Sequence, residues 1–243
     1  MMRRVFGWLV VLGLFAPVAQ AEEITVSAAV SLKEAFTQLA RQFEQLQPGT
    51  KVVLNLGASG ELSQQIARGA PVDVFASAGM KQVRDLGSLV ISAQPFARNQ
   101  LVVVVLRGQK PITKLQDLTK VTRLAMGNPK TVPVGQYAAA ALQQAGIYLT
   151  LVAKQKLVYG ENVRQVLAYV AGGDVDAGLV YQTDSQTTDK VTVSIVVTGG
   201  EPIIYPIAVV KDAKQPQLAQ AFVAYVLSKP GQRVLRDQGF LAP

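Results

Sequence analysis

Ser31 and Ser59 are hydroxyls set where apolar runs, Ile24 to Val30 and Lys51 to Leu56, give way to amphipathic segments. A strand-to-helix turn of that kind can hold an anion, because the first N–H groups of a helix lack intrahelical acceptors and carry the positive end of its dipole. Ser31 and Glu34 also fit the S-x-x-E capping box, in which the hydroxyl is spent on the helix's own third amide. Local pattern leaves both readings open. Two more turns, at Val134 and Val163, have the same character but only backbone N–H groups to offer, and Tyr181 ends a later apolar run with a phenol. In open α/β sheets ligands bind at the carboxyl ends of strands, where all five positions fall.

Other chemistry is scarce. The chain has no histidine and no cysteine, which excludes Ser-His-Asp and Cys-His catalysis, imidazole or thiolate metal sites, disulfides and a lipid-modified cysteine. Gly57-Ala58-Ser59-Gly60-Glu61 falls one residue short of the nucleophile elbow G-x-S-x-G and has no base to serve it. There is no Gly-Lys-Ser/Thr of a phosphate-binding loop. Asp73, Asp174 and Asp176 could suggest a carboxylate site, yet Asp174 and Asp176 read more simply as a polar turn before a buried strand; Lys130 and Arg164 read as solvated. No catalytic residue, directly coordinated metal or cofactor is expected. An exported cofactor-free enzyme is the outlying reading.

These positions need elements to hold them. Ile24–Ala28, Lys51–Leu56 and Val72–Ala76 read as strands, with helical spacing in Leu32, Ala35, Phe36, Leu39 and Phe43 and in Leu62 and Ile66. Pro133 suits the first helical position and Asn162 an N-cap. The pattern restarts at Leu101–Leu106, Leu124–Gly127, Leu157–Val158 and Ala177–Tyr181, then a half-exposed strand at Val191–Val197 and a return run at Tyr205–Val210. Alternation of this kind predicts α/β architecture with mostly parallel sheets flanked by helices. Two helices near Pro216 and Pro230 close the chain and are expected to pack back on the first lobe.

Met1-Met2-Arg3-Arg4, an apolar stretch from Val5 to Ala16 and Ala19-Gln20-Ala21 form a signal peptide pattern, with cleavage expected after Ala21. The only tryptophan, Trp8, lies within it. The expected division is residues 1–21 signal peptide, 22–98 with 206–243 lobe I, and 99–205 lobe II. A formal net charge of +8 favours anionic ligands only at short range, and no basic stripe interleaved with aromatics points to nucleic acid.

Several stretches in fixed order, Ala28-Ala29-Val30-Ser31-Leu32, Gly57-Ala58-Ser59-Gly60-Glu61-Leu62, Gly69 to Ala78, Asn128 to Ala138, Glu161-Asn162-Val163-Arg164, Gly178 to Tyr181 and Tyr205 to Val210, resemble the periplasmic molybdate-binding proteins of ABC-type transporters. The resemblance spans essentially residues 22–243. It implies a two-lobed type II periplasmic binding fold with the ligand cleft between lobes. It also implies a tetrahedral oxyanion, molybdate or tungstate, held by Ser31, Ser59, Val134, Val163 and Tyr181: hydroxyl and amide from the serines, amides from the valines, the phenol from the tyrosine. A monomer delivering to a membrane permease with its ATPase is implied too. Val30 and Val134 stand where that family often has alanine, and Asn128 where it often has aspartate; the two valines would narrow the pocket. A same-fold receptor for sulfate or ferric ion is the alternative.

Overall fold

The computed structural model describes residues 22–243, so the expected signal peptide and its cleavage site lie outside the described residues. In chain order the elements are β1 (Glu22–Ala29), α1 (Lys33–Leu46), β2 (Thr50–Gly57), α2 (Ser59–Ala67), β3 (Val74–Ala76), α3 (Met80–Leu86) and β4 (Val90–Asn99). There follow β5 (Leu101–Leu106), β6 (Leu124–Gly127), α4 (Pro133–Gln144), α5 (Tyr148–Ala153), β7 (Leu157–Gly160), α6 (Val163–Ala171), β8 (Ala177–Tyr181), α7 (Gln182–Ser185) and β9 (Val191–Val196). The chain ends with β10 (Ile203–Val210), α8 (Pro216–Leu227) and α9 (Lys229–Asp237).

Two five-stranded sheets result, ordered β2-β1-β3-β10-β4 and β7-β6-β8-β5-β9. They repeat one plan. Three parallel strands, joined by helical crossovers, meet one strand that enters from the other lobe and runs antiparallel to its neighbours: β10 against β3 and β4, β5 against β8 and β9. Each sheet is mostly parallel as expected, four of its five strands pointing one way, and the exceptions, β10 and β5, run against the rest because they arrive from the opposite lobe instead of through a helix in their own. Only Gln100 separates β4 from β5, while residues 197–202 join β9 to β10.

β4 escapes the sequence pattern. It is an edge strand, largely exposed over its first half, with Pro95 inside it and pairing irregularities against β10. The other strands follow the apolar runs closely. Ile24, Val26 and Ala28 of β1 are fully buried, and α1 turns Ala35, Phe36, Leu39, Ala40 and Phe43 inward at helical spacing. α8 returns to lobe I as expected: Phe222 packs edge-on against Phe43 at 5.3 Å and Phe36 at 6.2 Å between ring centroids. The ring contacts continue through Phe96 and Tyr205 to Tyr181, so the aromatic core of lobe I reaches the strand end at the cleft.

The lobes are closed on each other. The N–H of Gly60, in the first turn of α2, donates to the Thr131 carbonyl of lobe II at 3.1 Å, and Gln82 of α3 donates to Gln136 of α4 at 3.3 Å. Gly60 permits that approach because a Cβ there would lie 2.1 Å from the Thr131 oxygen. Gly60→Ala should accordingly hold the lobes apart while leaving each one folded, alanine being favoured over glycine inside a helix by about 1 kcal/mol. Small-angle scattering should give a larger radius of gyration with an unchanged or slightly raised melting temperature; unchanged dimensions would show that Gly60 does not limit closure.

Candidate functional site

Four helices begin at the seam. α2 opens with Ser59 after an extended Ala58, α4 with Pro133 at its first position, and α6 with Val163 after Asn162. Asn162 is the N-cap its position suggested, its side chain accepting the Gln165 N–H at 3.0 Å. α1 differs from expectation. A 3-10 turn over Val30–Leu32 precedes it, and no side chain caps either segment, so the Ser31–Glu34 capping box does not form. Ser31 turns its hydroxyl to Tyr205 of β10 and Glu34 reaches Arg164 in the other lobe, which leaves neither side chain for the helix's own amides.

Between the lobes lies a small, partly open cavity of ≈ 10 Å³. That is about the room one water needs, so a larger guest requires the lobes to part slightly. Lobe I supplies Val30, Ser59 and Ala78, and lobe II supplies Val134, Asn162, Val163 and Tyr181; no charged side chain is among the lining residues. Four of the five expected ligand positions thus share one cavity. Ser31 lies one residue beyond the lining Val30, 4% exposed, with its hydroxyl turned to Tyr205.

The hydrogen bonds around the cavity fix which way the hydroxyls point. A hydroxyl has one proton and two lone pairs, so a hydroxyl that accepts from a neighbour must send its proton elsewhere. Ser59 Oγ accepts the Ala78 N–H at 3.0 Å. Ser31 belongs to a longer chain. Asn99 Oδ1 accepts the Gln100 N–H at 2.9 Å, which directs its amide nitrogen to Thr183 Oγ1 at 2.9 Å and to the Tyr205 phenol oxygen at 3.3 Å. Tyr205 and Ser31 share a hydrogen bond of 3.2 Å in which either hydroxyl can donate. Ser59 is left as a donor toward a further acceptor, and Ser31 is one whenever Tyr205 donates to it. The Tyr181 phenol donates to the Ala78 carbonyl across the lobes at a long 3.4 Å, and burial raises its ionisation well above the ordinary range, so it stays an O–H donor. Asn99 and Tyr205 carried no local signal; each is an ordinary strand residue whose role exists only once β4 and β10 pair.

A set of neutral donors converging from two hinged lobes is what a binding protein for a small anion requires. The family described as bacterial extracellular solute-binding protein matches residues 24–241. The chain belongs to that family. It is 37% identical over 233 residues to the molybdate-binding protein ModA of Mycobacterium tuberculosis, covering 93% of this chain and 87% of that one. With ModA of Escherichia coli it shares 33% identity over 235 residues, 91% and 90% of the two chains. The periplasmic molybdate-binding protein of Azotobacter vinelandii superposes with a TM-score of 0.77 over 90% of this chain and 99% of that one, at 23% identity, and so shares the two-lobed type II fold.

In this family member the remaining candidate groups fall outside the cavity. Asp73 is buried and accepts from the N–H groups of Thr25 and Gln215, and Asp176 accepts from those of Thr122 and Arg123, so both brace loops. Lys130 is exposed as expected. Arg164 is not: its side chain is 22% exposed and lies against Asp184 of α7, with Nε 2.7 Å from Oδ1. The pair is close without being aligned, and neither Asp184 oxygen accepts a hydrogen bond. Burial therefore dominates, opposed by the Arg164 charge and reinforced by Glu34, and the Asp184 carboxyl is pushed up from 3.8 to about 7.

That shift has a definite sign. Between the two values the folded chain holds a proton that the unfolded chain has released, so stability falls as pH rises from about 4 through about 7 and levels off above. The melting temperature of the wild type minus that of Asp184→Asn should decline across this window and then stay constant. Parallel curves would mean that Asp184 titrates as it does in the unfolded chain.

Proposed function

We propose that this chain is an extracytoplasmic solute-binding protein that captures molybdate, and tungstate with it, and delivers it to an ABC transporter permease with its ATPase. The observation that carries this is the interlobe cavity, small, free of charged side chains and lined by hydroxyl groups and helix amino ends from both lobes. The names of the relatives supply the anion. In this reading Ser31 and Ser59 donate hydroxyl and amide, Val134 and Val163 donate amides from first helical turns, and Tyr181 donates its phenol by turning its proton from the Ala78 carbonyl to the anion. Each bond to a charged oxygen contributes about 1.5 to 3 kcal/mol net, without simple additivity.

The donor set argues for a fully deprotonated dianion. Hydrogen phosphate would bring a proton for which the lining side chains hold no carboxylate acceptor. Ferric ion would need anionic ligands that this lining lacks. Sulfate matches in charge and shape and differs in size, so it is the competitor to measure. Ser59 has no base to activate it, and the protein needs no cofactor; we read it as a carrier and not an enzyme. It acts as a monomer in the periplasm after cleavage following Ala21, with residues 22–98 and 206–243 as one lobe and 99–205 as the other.

Calorimetric titration of the mature protein with molybdate, tungstate, sulfate and phosphate should show tight one-to-one binding of the first two and far weaker binding of the others. Sulfate binding as tightly as molybdate would make the chain a general oxyanion receptor. Ser31→Ala and Ser59→Ala should each weaken molybdate binding roughly 10- to 100-fold, the equivalent of one bond to a charged group. Wild-type affinity in either variant would remove that serine from the site.

A further inference from the structure

We propose that Glu34, Arg164 and Asp184 form a latch across the mouth of the cleft that slows release of the bound anion. Arg164 Nη2 lies 2.5 Å from Glu34 Oε2 and Nη1 lies 3.2 Å from Oε1, a two-pronged pair between lobes, while Nη1 also donates to Thr187 Oγ1 at 3.0 Å. Side-chain exposure grades from 40% at Glu34 through 22% at Arg164 to 0% at Asp184. Asp184 and Thr187 belong to the same lobe as Arg164, so they hold the guanidinium in place whether the lobes are open or closed. Glu34 is the partner that closure brings and opening removes.

The three charges stand in register with the proposed ligand positions. Glu34 follows Ser31 by one helical turn, Arg164 is next to Val163, and Asp184 follows Tyr181 by three residues. Separating Glu34 from Arg164 therefore means separating the segments that carry Ser31 from those that carry Val163 and Tyr181. Partial burial and two-pronged geometry make the pair stronger than an isolated surface ion pair. The two Nη groups of the arginine are engaged by Glu34 and Thr187, which explains how a guanidinium can sit beside an anion cavity and not enter it. A cationic ligand would add affinity with little regard for shape; a latch adds residence time and leaves selection to the neutral donors.

This inference rests on the oxyanion reading above, and the test separates the two. Labelled molybdate bound to the mature wild type and to Glu34→Gln would be chased with unlabelled molybdate. Release should be about 3- to 30-fold faster from Glu34→Gln, the range for loss of one partly exposed charge-assisted pair, with the association rate changed less. High salt should speed release from the wild type and have little effect on the variant. Glu34→Lys, which opposes two cations, should release faster still and scatter as a more open particle without ligand. Equal release rates in wild type and Glu34→Gln would overturn the latch and leave the binding reading intact. A wild type that retains no label would overturn the binding reading itself. Matching melting temperatures of the ligand-free proteins would exclude a folding defect as the cause of faster release.

Discussion

The site depends on the fact that a hydroxyl carries a single proton. Ser31 and Ser59 could each spend that proton on a nearby carbonyl, as serines at helix starts commonly do, and would then present lone pairs to the cavity and repel an anion. The structure prevents this at Ser59, whose oxygen accepts the Ala78 amide, while Ser31 shares its hydrogen bond with Tyr205, whose phenol oxygen also takes an Asn99 N–H. Asn99 is the last residue of β4, and its own orientation is set by the next amide in the chain. The segment at which the chain crosses from one lobe to the other thus reaches the hydrogen bonds around Ser31.

Burial supports the same outcome. Tyr205 is fully buried and its ionisation is raised well above the ordinary range, chiefly by desolvation and next by the Asp184 carboxyl. The aromatic packing from Phe36 through Phe96 to Tyr205 and Tyr181 therefore does more than fill space, since it keeps water away from two phenols that must remain protonated. Charge is handled separately: Arg164 is engaged by two carboxylates at the edge of the cleft, so the cavity is shaped by dipoles alone.

Much of this was legible in the chain, and the limits have physical causes. Strand-to-helix turns announce themselves through local periodicity, so β1 to α2, Pro133 at the head of α4 and the Asn162 cap were all readable. β4 was not, because an exposed edge strand interrupted by Pro95 has no apolar alternation to display. The capping-box pattern at Ser31 and Glu34 misled for a more basic reason: the same four residues serve whether Glu34 turns back to its own helix or outward to an arginine 130 positions away. Arg164 looked solvated since nothing near it in sequence shows that a buried carboxylate and an opposite lobe surround it. Local signals decide elements, and the partners of a polar side chain are decided by topology.

Closure itself is a balance that these parts set between them. Bringing the lobes together draws the amino ends of α1, α2, α4 and α6, each carrying roughly half a positive charge, toward one small cavity. Without an anion that convergence is unfavourable. The Glu34–Arg164 pair and the bond from Gly60 to Thr131 oppose it, each contributing on the order of 1 kcal/mol at a partly exposed seam. Terms this small cannot hold the protein shut against the mutual repulsion of four helix ends, and they need not. A dianion converts the same four dipoles from repulsive to attractive, a swing of several kcal/mol, since each helix end is worth up to about 1 to 2 kcal/mol toward a partly buried charge. Differential affinity of that size is what moves a two-state equilibrium from mostly open to mostly closed. In the proposed reading the neutral donors accordingly select the anion and drive closure, while the charged residues at the rim govern how long the closed state lasts.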